Sequence, residues 1–111
     1  MAYDQEIAGR LRALLSGEKG ITERAMFGGL AFLVDGNMAV TVSGQGGLLV
    51  RVNPEDVEAL LREDSVEPAV MRGREMRGWL RVAPESLHTP GHLEHWAGRA
   101  LTYARSLPAK G

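Results

Sequence analysis

Hydrophobic positions change period along this chain, from helical to alternating and back to helical. In residues 4–16, Ile7, Leu11, Leu14 and Leu15 recur at helical spacing, while Glu6, Arg10 and Arg12 lie off that stripe. Asp4 is placed to cap the first turn, and Gly17 stands where a left-handed residue after the helix is wanted. From Ile21 the period becomes two. Leu30, Phe32 and Val34 share one face, as do Met38, Val40 and Val42, and then Leu48, Val50 and Val52. Asp35-Gly36 between the first two runs is a strong hairpin signal, and Gly44-Gln45-Gly46-Gly47 suits a longer loop between the next two. The pattern predicts a three-stranded antiparallel meander, preceded by a fourth strand over residues 21–27.

A second helix is predicted from Asn53-Pro54 to about Asp64, with Val57, Leu60 and Leu61 as its short apolar stripe. Residues 65–78 are less regular, and residues 79–82 read as another strand. Thr89-Pro90 opens the last helix. Its stripe is Leu93, Trp96, Ala97, Ala100, Leu101 and Ala104, and Pro108 stops it. The resulting order is α-β-β-β-β-α-β(β)-α. Strands this closely spaced cannot all be joined by crossover helices. The expected fold is therefore a two-layer α+β sandwich, with a mainly antiparallel sheet and helices on one face.

Composition narrows the function classes. One domain fits in 111 residues, with 44% hydrophobic residues to build its core. There are no cysteines, which removes disulfides, thiolate metal sites and a cysteine nucleophile. With 13 basic and 14 acidic residues, the chain has no general pull on nucleic acid or anionic membranes. The acidic start, Met1 to Glu6, lacks the layout of a signal peptide, and the longest apolar run, residues 30–34, is too short to span a bilayer. A cytoplasmic protein with no cofactor is expected.

The glycines lead to a family. Eight of the 14 fall between Gly17 and Gly47 and punctuate the predicted strands. Met26-Phe27-Gly28-Gly29-Leu30-Ala31-Phe32, followed by Asp35-Gly36-Asn37-Met38-Ala39, resembles the TfoX N-terminal domain family. Further matches are Arg51-Val52-Asn53-Pro54-Glu55-Asp56, Gly73-Arg74-Glu75-Met76-Arg77-Gly78-Trp79, and the terminal helix from Trp96 to Pro108. The resemblance covers residues 3–108 of a single domain, 1–111. It implies a fold similar to the secretion chaperones. It also implies kinship with bacterial competence regulators, whose full-length members act alongside another transcription factor and carry a second domain. A stand-alone single-domain member is the expectation, and the resemblance brings no catalytic residues with it.

Three constellations carry possible chemistry. Gly28-Gly29 has no following helix or Lys-Ser pair, so a bend between strands is expected there, not a phosphate cradle, with Met26 and Phe27 in the core. His88, His92 and His95 are candidate metal ligands by spacing, though His88 precedes the helix cap and no cysteine joins them. Arg72, Arg74, Arg77 and Arg81 lie close together around Trp79, opposed only by Glu75. Guanidinium forks beside an indole can grip phosphates and stack a base, or form a protein-contact surface. Ser86-Leu87-His88 lacks an orienting acid and an elbow motif, and no catalytic motif is found elsewhere. The expected function is a non-catalytic protein-interaction domain, an accessory in transcriptional or competence regulation. The alternatives are a nucleic-acid-binding regulator using residues 72–81, and a small-ligand-binding protein or enzyme. A homodimer is also expected, because the sheet's outer face or edge needs covering. No membrane contact is expected.

Overall fold

A computed structural model describes residues 3–26 and 28–109, apart from the side chains of Met71 and Pro90. Helix α1 spans Gln5–Leu15, and the Asp4 carboxylate accepts from the Glu6 and Ile7 amides at 2.9 and 3.2 Å, as its position predicts. Strands β1 (Ile21–Met26), β2 (Gly29–Val34), β3 (Asn37–Val42) and β4 (Leu48–Arg51) follow. A 3-10 turn, Pro54–Asp56, leads into the single-turn helix α2 (Val57–Leu60). Strands β5 (Val66–Met71) and β6 (Arg74–Val82) form a hairpin, and a second 3-10 turn, Pro84–His88, precedes α3 (Pro90–Ser106). The six strands form one antiparallel sheet in the order β1-β2-β3-β4-β6-β5. The fold is α+β, in the predicted order of elements.

Side chains directly opposite each other on neighbouring strands share a face of the sheet. One cross-strand row reads Glu23, Phe32, Val40, Val50, Leu80 and Pro68, and its neighbour Ala25, Leu30, Val42, Leu48, Val82 and Val66. The buried members of these rows pack with Ile7, Ala8, Leu11 and Leu15 of α1, Leu60 of α2, and Leu93, Trp96, Ala97, Ala100 and Ala104 of α3. The helices therefore cover this one face. Arg105 fastens the end of α3, donating to the Lys19 carbonyl at 2.9 Å and to Glu18 at 3.1 Å, while Arg10 donates to the Leu87 carbonyl at 2.8 Å.

Several sequence expectations need correction. Leu14 is exposed, and Ala8 takes its place in the buried stripe of α1. The chain leaves α1 through right-handed Ser16, so the left-handed residue is Gly20, not Gly17. α2 stops at Leu60, short of Asp64, because no apolar position after Leu61 can hold further turns on the core. The irregular residues 65–78 are mostly strand. Pro68, tolerated because β5 is an edge strand, and a register shift between Pro68 and Val70 hide the alternation there. Finally, Met38 does not share a face with Val40 and Val42. A bulge between Phe32 and Leu33 pairs Phe32 with Val40 but Leu33 with Met38. Ala39 is the extra residue and joins the core, while Met38 is turned to the opposite side.

Candidate interaction face

Among the described residues, the opposite face of the sheet carries no helix. Its central row runs across all six strands as Arg24, Ala31, Thr41, Leu49, Arg81 and Glu67. Beside it lie Leu33 paired with Met38, and Arg51 paired with Trp79. Met26, Met38, Leu49, Met76 and Trp79 line an apolar groove of about 300 Å³, with Thr41, Ser43 and the backbone of Gly29 and Gly44 completing its wall. Met26, expected in the core, is half-buried and belongs to this groove. Its neighbour Phe27 lies outside the described residues. Gly28 has φ +77° in the β1–β2 connection, and a strand follows it, so the Gly28-Gly29 bend is part of the sheet, as expected, with no helix N-terminus to aim amides at a phosphate. At Asp35 and Gly36, φ is +52° and +85°, as the predicted two-residue hairpin requires.

Beside Trp79, its cross-strand partner, stands Arg51, half-buried with two aromatic rings near its guanidinium. Its Cζ lies 5.9 Å from the Trp79 ring centroid and 5.8 Å from that of Tyr103 on α3. Both distances are within cation–π range. Its hydrogen bond to the Met38 carbonyl is long, at 3.5 Å. Among the described residues, no carboxylate forms an ion pair with it. Nothing in the local sequence shows the ring contacts of Arg51, because Trp79 and Tyr103 come from distant elements. Tyr103 also borders a second, shallower groove of about 740 Å³ along α3, where Asn53, Asp56, His95 and Arg99 stand.

The arginine cluster seen in the sequence is dispersed. Arg72 and Arg74 sit exposed at the tip of the β5–β6 hairpin, where Arg72 and Gly73 have φ +55° and +78°. Exposed Arg77 borders a groove with Pro54, Val57 and Leu61, and Trp79 separates that groove from the methionine-lined one. Arg81 donates to the Gly46 and Gln45 carbonyls at 2.9 and 3.3 Å, with Glu67 3.7 Å from its Nε. It braces the β3–β4 loop.

The histidines are not gathered either. His92 places Nδ1 2.9 Å from the Ser86 carbonyl, which fixes the proton on that nitrogen, and His95 faces Glu63 at 3.8 Å. His88 ends the 3-10 turn before the helix. Among the described residues, no three His, Asp or Glu side chains are grouped to hold a metal. The Ser86 hydroxyl donates to the Ala83 carbonyl at 3.0 Å. Arg12 and Glu23 form a bidentate pair at 2.8 and 3.0 Å on the helix side, and this hydrogen bonding, then charge, raises the Arg12 pKa above its ordinary value.

The family model described as the TfoX N-terminal domain matches residues 13–104, most of the chain. The chain belongs to the TfoX N-terminal domain family. Neither the curated proteins nor the solved structures gave a match. In this TfoX N-terminal domain the matched region runs from α1 to α3 and so includes every strand of the helix-free face. No helix among the described residues is long and apolar enough to cross a membrane.

Proposed function

We propose that this TfoX N-terminal domain works by binding another protein, without catalysis, as an accessory in transcriptional or competence regulation. The observation that carries the reading is the helix-free face, with three methionines, a leucine and a tryptophan around one groove. Grouped apolar side chains at a surface mark interaction sites, and methionine adapts to the shape of what it contacts. The regulatory setting rests on the family alone.

Two features weigh against nucleic acid as the partner. Arg81 is occupied by loop carbonyls and Glu67, and Arg72 and Arg74 stand several residues along the hairpin from Trp79. The test is affinity capture of the tagged chain from its own cell extract, with and without nuclease and across a salt series. A protein retained after nuclease treatment supports the proposal. Retention that vanishes with nuclease, or falls steeply with salt as counterion release demands, overturns it in favour of nucleic acid.

A further inference from the structure

The groove and Arg51 together define what kind of segment fits the face. Resting on the protein-binding reading, we infer that the partner presents an acidic, apolar segment: a bulky apolar side chain for the methionine groove, next to a carboxylate for Arg51. Three observations converge on this chemistry.

The groove is apolar on every side chain except Thr41 and Ser43, so it selects an apolar anchor. Ser43 is already engaged, accepting from the Gln45 amide at 3.1 Å. Arg51 adjoins the groove through Trp79, its cross-strand partner, and through the Met38 carbonyl. Its guanidinium lies near two rings and has one long hydrogen bond, so among the described residues most of its five N–H donors have no partner. A planar fork placed in this way matches a carboxylate in bidentate geometry, and a partly buried cation gains more from it than an exposed one.

The rest of the face adds to the bias. Arg24 projects from the same side at the β1 edge, and the one acidic residue in the central row, Glu67, is paired with Arg81. Glu75 lines a pocket with Gln45, Glu67 and Arg81, and it also borders the groove where Glu58 and Arg77 stand with Trp79. Arg24 at the β1 edge and Arg51 on β4 are thus cations of this face that form no ion pair among the described residues. A basic segment, a nucleic acid or an identical face from a second copy would bring cations or phosphates without an apolar anchor, or like charge against like.

Trp79 is a built-in reporter. The chain has two tryptophans, and Trp96 is buried in the core, so Trp96→Phe leaves Trp79 as the only indole. In the full-length W96F chain, the emission of Trp79 is titrated with a peptide alternating leucine or phenylalanine with glutamate, and with its twin carrying lysine for glutamate. Decanoate and a single-stranded oligonucleotide are further arms, and light scattering is recorded throughout. The inference expects saturable change with the acidic peptide, with or without a weaker response to decanoate, and none with the lysine twin or the oligonucleotide. Arg51→Gln should weaken that binding about tenfold, the loss of one charge-assisted hydrogen-bonded contact, and Arg51→Lys should restore part of it. Unchanged circular dichroism of the variants confirms their folding. Equal binding of both peptides, or indifference to Arg51→Gln, overturns the acidic chemistry and leaves the protein-binding reading standing. Response to decanoate or the oligonucleotide alone, or self-association that masks Trp79, overturns both.

Discussion

Gly29 and Gly98 show how one residue type serves two ends. A Cβ on Gly29 would run into the Val42 carbonyl and the Gly44 amide, so the β2–β3 corner depends on the missing side chain. A Cβ on Gly98 would meet open space in the middle of α3. Gly29→Ala should therefore destabilise the fold by about 1–3 kcal/mol, as overpacking against backbone does. Gly98→Ala should stabilise it by roughly 0.5–1 kcal/mol by removing helix-interior glycine. Urea unfolding of the two variants checks both signs. At the same scale, Phe32 is 1% exposed at the centre of the core, and Phe32→Ala should cost about 3–5 kcal/mol. Met38 is the residue most misplaced by sequence reasoning. Perfect alternation with Val40 and Val42 put it inside, and only the bulge opposite Phe32 and Leu33 turns it out to the groove.

Among the elements, the turns divide by how plainly their chemistry is written. Asp35-Gly36 is a favoured pair for a two-residue hairpin and could be read directly. Arg72-Gly73 adopts the same positive-φ pair, but arginine is a poor resident of left-handed backbone, so the β5–β6 hairpin left no such signal. Arg72→Asn should stabilise the protein by about 0.5–1 kcal/mol, visible as a rise of several degrees in Tm. A fall would mean that the arginine side chain holds the tip. Helices α1 and α3 were readable because their stripes are long and their starts carry suitable residues. The pattern makes α2 too long, since its carboxylate-bearing continuation looks helical while offering nothing apolar to bury after Leu61.

On the scale of the whole molecule, the layers follow from pattern, but the make-up of the helix-free face does not. Alternation in the strands and one-sided stripes in the helices require a sheet with helices on one side, and the structure has that arrangement. The groove on the helix-free side is assembled from β1, β3, β4 and β6 by register, and Tyr103 is brought to Arg51 by the end of α3. No local run of sequence contains those juxtapositions. The arginine segment that stood out in the sequence is instead spread over a hairpin tip, a second groove and a loop brace.

The central claim is that binding runs through the helix-free face, and one comparison tests it most directly. Leu49→Asp places a carboxylate in the methionine groove, while Leu14→Asp makes the same change at an exposed position on the helix side. Both tagged variants are confirmed as folded and used for nuclease-treated capture beside the unaltered chain. The account predicts that the retained protein is lost with Leu49→Asp and kept with Leu14→Asp. Full retention by the Leu49→Asp chain would contradict it.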